Sequence, residues 1–196
     1  LVDGVTGSGK TEIYFNAVAN ILQKESGQIL ILLPEIILAN QILKRFNDSF
    51  GFDANIWHSK INNNLKRDIL YSINNGNVRV LIGTRSALFL PFQDLKLIII
   101  DEEHESSFKQ EDIVNYHGRD MAIVRSKIEN YTIVLSSATP SIETFLNAKN
   151  KKYHHIKLES RFFHNKKAEI NLIDMKKQEI NKNSYISNVL KNEMKS

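Results

Sequence analysis

The 196-residue sequence predicts an α/β fold, a doubly wound parallel sheet with helices on both faces. Three observations carry that expectation. Residues 29–33, 78–82, 97–100 and 133–135 are short, nearly unbroken apolar runs rich in β-branched side chains, as strands buried on both faces are. The segments between them repeat apolar residues at helical spacing. Strands that alternate with helices are joined by right-handed crossovers, which lay helices over both sides of the sheet.

In chain order, residues 1–2 read as the end of a first strand. Tyr14, Ala17, Val18, Ile21 and Leu22 then share one face of a helix, and Leu38, Ile42 and Phe46 one face of a second. A third helix is expected over 65–73. From residue 149 the chain turns Lys- and Asn-rich, with possible strands at 153–158 and 169–173 and a final helix at 186–194. Residues 1–148 therefore read as one lobe and 149–196 as a basic C-terminal extension. No internal repeat is visible, and the Asn run at 62–64 is too short to be low complexity.

Composition narrows the class. Hydrophobic residues make up 42% and charged residues 24%, the range of ordinary globular domains and not of disordered chains. The net charge of +4 is mildly basic and suits a phosphate-bearing partner without requiring one. With no cysteine, neither a disulfide nor a thiolate metal site can form here, and a reducing cytoplasm is the expected setting. No apolar run approaches the roughly 20 residues that span a bilayer, so no membrane association is expected. The chain starts at Leu1 with no signal-peptide pattern, which reads as an internal start.

Gly4-Val5-Thr6-Gly7-Ser8-Gly9-Lys10-Thr11 fits the P-loop pattern G-x-x-x-x-G-K-[ST], set between a strand end and an amphipathic helix as the motif requires. The backbone from Gly4 through Thr6, Gly7, Ser8 and Gly9 wraps anionic oxygens, while amides at the helix start point at phosphate. Lys10 adds a full charge near the β and γ groups, and Thr11 a hydroxyl for Mg²⁺. A second signal lies at 97–104, where an apolar strand runs into Asp101-Glu102-Glu103-His104. Carboxylates at that strand end emerge where ligands bind in open α/β sheets. Asp101 is expected to hold Mg²⁺, and Glu102 to orient and polarise the water attacking the γ-phosphate of ATP. The catalytic set is thus Lys10, Asp101 and Glu102 in a P-loop NTPase.

Asp101-Glu102-Glu103-His104 resembles the DExH box of superfamily 2 helicases. In order the chain also carries Leu33-Pro34-Glu35-Ile36, His58-Ser59, Gly83-Thr84-Arg85-Ser86-Ala87-Leu88-Phe89 and Ser137-Ala138-Thr139-Pro140-Ser141. With Phe108-Lys109-Gln110 and Tyr116-His117-Gly118-Arg119-Asp120, the set is similar to the primosomal replication-restart helicases. The resemblance runs from residue 4 to about 143 and weakens beyond, where Leu172-Ile173-Asp174-Met175 is a softer match.

That resemblance implies the first RecA-like lobe of an ATP- and Mg²⁺-dependent 3′-to-5′ DNA helicase. Partners would be single-stranded and forked DNA together with primosome and replication-restart proteins, in the bacterial cytoplasm. It implies that Gly83, Thr84 and Arg85 contact the single-strand backbone, with Arg85 on a phosphate, and that Pro34 and Glu35 line the same track. Ser137 and Thr139, with His104, would couple nucleotide to DNA through hydrogen bonds at the Asp101 strand end. Phe108, Lys109, Gln110, Tyr116 and His117 would form a DNA-sensing aromatic-rich loop. A second lobe and a zinc region are expected only downstream, in the parent protein. This chain by itself is accordingly expected to bind nucleotide weakly and hydrolyse it poorly.

Plainer roles stay open for several of these residues. Arg85 has the alternative of an ordinary surface arginine, Phe108 and Tyr116 of packing beneath a loop, and His58 of a structural histidine. His104 reads as a polar bridge or a proton carrier, and His154-His155 as a surface pair without metal partners. At the level of function, the alternatives are another superfamily 2 translocase, of branch-migration or restriction type, and a non-motor P-loop NTP-binding module.

Overall fold

The computed structural model describes residues 1–24, 26–112, 114–161, 171–175 and 186–194. Two compact units divide the chain, Leu1–Phe163 and His164–Ser196. The first unit holds strands β1 (Val2–Gly4), β2 (Gln28–Leu32), β3 (Asn55–Trp57), β4 (Val80–Gly83), β5 (Leu95–Asp101), β8 (Thr132–Ser137) and β9 (Ile156–Leu158). A two-stranded hairpin, β6 (Lys109–Gln110) and β7 (Tyr116–His117), stands apart from them. The helices are α1 (Lys10–Leu22), α2 (Ile36–Phe50), α3 (Asn63–Asn74), α4 (Gly118–Glu129) and α5 (Ile142–Lys149), with 3₁₀ turns at Arg85–Phe89 and Ser106–Phe108.

The main sheet has the order β3-β4-β2-β5-β8-β1-β9, with every pairing parallel. Alternation along its central strands divides the core cleanly, as the two-residue period of a strand demands. Leu30, Leu32, Leu81, Ile98 and Ile100 face α3 and α4, packing on Ile69, Ile73 and Ala122. Ile29, Ile31, Val80, Ile82, Leu97 and Ile99 face α1 and α2, packing on Tyr14, Phe15, Val18, Ala39 and Phe46. Burial on both faces is why these strands are apolar without a break. The one polar side chain at the start of β2, Gln28, is satisfied by Ile73 and Val78 carbonyls and by Gln93 and Asp94 amides.

The strands expected at 1–2, 29–33, 78–82, 97–100 and 133–135 and the first three helices form with small shifts at their ends, while β3, the β6–β7 hairpin, α4 and α5 were not expected. The strand expected at 153–158 is β9, which pairs with β1 and forms one edge of the sheet. Of the strand expected at 169–173, residues 169 and 170 lie outside the described residues, and 171–173 are not in a strand. In the second unit α6 (Asn188–Glu193) starts on Ser187, whose hydroxyl accepts the Leu190 amide at 3.1 Å.

Topology places the site. From β1 the chain crosses toward the β3 edge to reach β2, and from β8 it crosses the other way to reach β9. Connections that leave in opposite directions open a crevice outside the carboxyl ends of the strands.

Candidate nucleotide site and nucleic-acid cleft

The phosphate loop joins β1 to α1. Gly9 caps α1 at φ 90°, a left-handed conformation that a residue with a side chain adopts only under strain. Gly4 is required for a different reason: a Cβ there would lie 2.5 Å from Ser8 Oγ and 2.8 Å from Leu158 Cβ. The loop therefore packs straight onto β9. Lys10 is buried, and its Nζ donates to the Gly4 carbonyl at 2.8 Å. Ser8 Oγ is buried with no hydrogen-bond partner.

The acids stand at the same edge. Asp101 pairs in register with Ser136, which pairs in turn with Val2, so β5, β8 and β1 finish at the same edge of the sheet. The Asp101 carboxylate is fixed from three sides: Oδ1 accepts from Ser136 Oγ at 2.8 Å and from the Glu102 amide at 3.2 Å, and Oδ2 accepts from Tyr14 Oη at 3.1 Å. Burial, and then the Asp101 charge, push the Tyr14 hydroxyl far above its ordinary pKa, so it stays a donor. Asp101, Glu102, Thr6, Lys10 and Thr11 line one cavity of about 980 Å³, to which α2 adds Gln41 and Arg45. The motif and the acids, some ninety residues apart, converge as the sequence required.

Glu102 sits at φ 50°, a left-handed conformation that costs a residue with a side chain about 1 kcal/mol or more. Burial raises its pKa, Asp101 raises it further, and Lys10 and His104 oppose the shift. The result is a carboxylate more basic than a solvated one, which suits a group that must polarise water.

Donors and acceptors here fit a nucleotide triphosphate with its magnesium. The amides at the start of α1, Lys10 Nζ and the orphaned Ser8 hydroxyl offer hydrogen bonds to phosphate, while Thr11 and Asp101 offer hard oxygens to a cation.

Behind the acids, Ser137 Oγ and His104 Nδ1 lie 2.8 Å apart, and the Thr139 amide donates to Ser137 Oγ at 3.0 Å. The three expected coupling residues are thus in contact. The hydroxyl that holds Asp101 is not Ser137, however, but its neighbour Ser136, because alternate residues of β8 point to opposite faces. Sequence reasoning also passed over Tyr14, read only as part of an apolar helix face. A buried tyrosine hydroxyl needs a partner, and that requirement was the available signal.

Pro34, Glu35, Thr84 and Arg85 line a second cleft of about 430 Å³ at the carboxyl ends of β2 and β4, with Ser59 and Lys60. Arg85 does not present a free fork to it. Its guanidinium donates to the Ser107 carbonyl at 3.1 Å, to the Lys109 carbonyl and to Gln110 Oε1, and lies 5.6 Å above the Tyr116 ring. Tyr116 meets Phe89 edge to face at 5.2 Å, and Lys109 pairs with Glu111 in solvent. Phe108 requires a correction: it is 0% exposed and belongs to the core beneath α4, so its ring has no face to offer a base. His58 Nδ1 accepts the Lys60 amide at 3.2 Å. His154 and His155 are both exposed, and His155 Nε2 lies 3.1 Å from Asp3 Oδ2.

A parallel sheet with a phosphate loop and a DExH turn at its carboxyl edge, flanked by a second polar cleft, defines an NTPase of the helicase type. Residues 1–147 match the DEAD/DEAH box helicase family, and the chain belongs to that family. It is 51% identical over 195 residues to the replication restart protein PriA of Rickettsia prowazekii, a match that takes in 100% of this chain and 30% of that protein. With PriA of Bacillus subtilis the identity is 42% over 161 residues, 82% of this chain and 20% of the relative. The chain thus spans under a third of the length of these relatives. Among solved structures, RecG bound to a three-way DNA junction shares the fold, with a TM-score of 0.61 at 24% identity over 85% of this chain and 21% of that one.

Proposed function

We propose that this chain is the ATP-binding motor lobe of an ATP-dependent 3′-to-5′ DNA helicase that acts in replication restart. The observation that carries the reading is the shared cavity of Lys10, Thr11, Asp101 and Glu102, one strand end away from the Pro34–Arg85 cleft. Identity to proteins named for replication restart supports the biological role. Polarity, primosome partners, forked-DNA substrate and a bacterial cytoplasmic setting belong to the same proposal.

Magnesium, when bound with ATP, neutralises the β and γ oxygens. Thr11 Oγ1 and Asp101, the latter through water, would hold it. Lys10 Nζ exchanges the Gly4 carbonyl for a phosphate oxygen, a gain because an anionic acceptor replaces a neutral one. Glu102 takes the proton of the attacking water and aims its lone pair at the γ-phosphorus. Glu35, Thr84 and Arg85 would follow the strand backbone in the second cleft, with Tyr116 and Lys109 at its margin.

Residues 1–148 are assigned to the lobe, with β9 (Ile156–Leu158) completing its sheet edge, and the rest of 149–196 to a basic connection toward a zinc region and a second lobe. On this reading the isolated chain binds ATP weakly and turns it over slowly, since arginines from another lobe complete such sites. The test is ATP hydrolysis by the full-length protein with and without single-stranded or forked DNA. Stimulation that is lost in Lys10→Ala supports a motor, and preference for a fork with a leading-strand 3′ end supports the restart role over a general translocase. Turnover indifferent to DNA would return the chain to a non-motor NTP-binding module.

A further inference from the structure

Glu103 is 0% exposed in its side chain and lines neither cleft, yet its carboxylate accepts hydrogen bonds at both oxygens. Its Oε2 accepts from Arg119 Nη1 at 3.0 Å, from Thr144 Oγ1 at 3.0 Å and from Ser141 Oγ at 3.2 Å, and its Oε1 accepts the Ser141 amide at 2.8 Å. Its own amide is bonded to the Ser136 carbonyl at 3.1 Å. Arg119, 8% exposed, also donates to Ser141 Oγ at 2.5 Å and to Asp120 at 2.9 Å.

A buried ion pair is a poor device for stability alone, since desolvation offsets most of the attraction and apolar residues of equal volume do as well. Its location matters more. Glu103 directly follows Glu102, the residue held at positive φ, and its amide and carboxylate are both locked. Arg119 lies in the first turn of α4, two residues beyond the hairpin strand Tyr116–His117, and that hairpin's other strand is bonded to Arg85 in the second cleft. Ser141 caps α5 just after the loop that carries Thr139. One carboxylate therefore ties together the acid turn of the nucleotide site, the exit of the hairpin and the segment after β8.

We infer that Glu103 and Arg119 are positioning residues, a buried fastener through which the hairpin beside the second cleft sets the backbone of Glu102 for hydrolysis. Because either member left alone would be an uncompensated buried charge, the pair moves as a unit, and a shift of the hairpin is passed to the acid turn. This rests on the motor reading above. Neither residue touches nucleotide or nucleic acid, so the pair governs the rate response to DNA and not affinity.

The test uses the full-length protein and two near-isosteric variants: Glu103→Gln, which removes the charge facing Arg119, and Thr144→Val, which removes one donor and keeps the helix. The expected result is a fall in the ratio of DNA-stimulated to DNA-free kcat, about tenfold in Glu103→Gln and about threefold in Thr144→Val. KM for ATP and the Kd for a single-stranded oligonucleotide stay within about twofold. Stimulation equal to wild type in both folded variants overturns the inference. So does a loss shared evenly by kcat, KM and Kd, which marks a purely structural role. A wild-type protein that ignores DNA overturns the motor reading itself, and this inference with it.

Discussion

Tyr14 Oη donates to Asp101 Oδ2 across 3.1 Å, and so a tyrosine buried in the first helix holds the acid proposed to face Mg²⁺ on a strand 87 residues away. The Tyr14 hydroxyl is held protonated by burial and by the acid it serves, which makes it a permanent donor. Tyr14→Phe keeps the ring packing in the core and deletes that bond together with the hydroxyl's hydrogen bond with Thr11. A hydrogen bond to a charged group is worth about 1.5–3 kcal/mol, so the Mg²⁺ concentration for half-maximal hydrolysis should rise on the order of tenfold. Nucleotide binding without metal should be unaltered. A metal titration of the variant checks this, and an unchanged midpoint would remove Tyr14 from the site.

On the proposed function, Lys10 and Glu102 divide binding from chemistry. Lys10→Ala removes the buried charge directed into the phosphate loop, and nucleotide affinity should drop by on the order of a hundredfold. Glu102→Gln keeps volume but cannot accept a proton, so kcat should fall by about 10²–10⁴ while nucleotide affinity holds. Fluorescent-nucleotide binding beside steady-state turnover separates the two. Equal affinity losses in both variants would contradict the assigned roles.

How much of this was legible in the sequence depended on whether the signal was contiguous. The phosphate loop and the acid turn are unbroken runs of residues whose chemistry implies a partner, and the central strands are apolar throughout because both faces are buried. Helix α4 was hidden because it buries Gly118, Arg119, Ala122 and Ser126 and so carries no apolar stripe. Helix α5 inverts the usual pattern, burying Thr144 and Ala148 while Ile142, Phe145 and Leu146 are exposed. Ser136 and Tyr14 acquire their roles only from strand register and helix packing, distances no local pattern encodes. Phe108 shows the converse: an aromatic residue in a loop has the same spelling whether it stacks on a base or supports the loop from below.

The burial of Phe108 gives a sharp contrast with its neighbour Lys109. Phe108→Ala empties a fully buried site in the core under α4 and should cost about 3–5 kcal/mol of stability. Lys109→Ala removes an exposed cation whose ion pair with Glu111 lies in solvent, so stability should be unmoved. If Lys109 borders the strand path, its loss weakens single-stranded DNA binding and lowers the salt slope by about 1. Urea denaturation and a salt series of DNA titrations measure both. A stable Phe108→Ala protein with impaired DNA binding would restore the direct contact that the structure removes.

His117 ends the hairpin with Nδ1 buried and without a hydrogen-bond partner. Burial depresses its pKa below the ordinary 6.5, the Arg119 charge depresses it further, and Asp120, Glu103 and Glu143 oppose the shift. Between that depressed value and about 6.5 the unfolded chain binds more protons than the folded one, so stability must fall as pH falls through this window. Above about 6.5 both states hold a neutral ring and the contribution is complete; below the folded pKa both are protonated and the loss levels off. His58 is shifted the same way, by burial and then by Lys60 and Lys66, so the total pH profile is not diagnostic of His117. The difference between wild type and His117→Gln is. Across urea midpoints at pH 8, 6 and 5 the wild type should lose stability relative to His117→Gln as pH drops, because only the wild type loses this contribution; parallel curves would show that His117 titrates alike in both states.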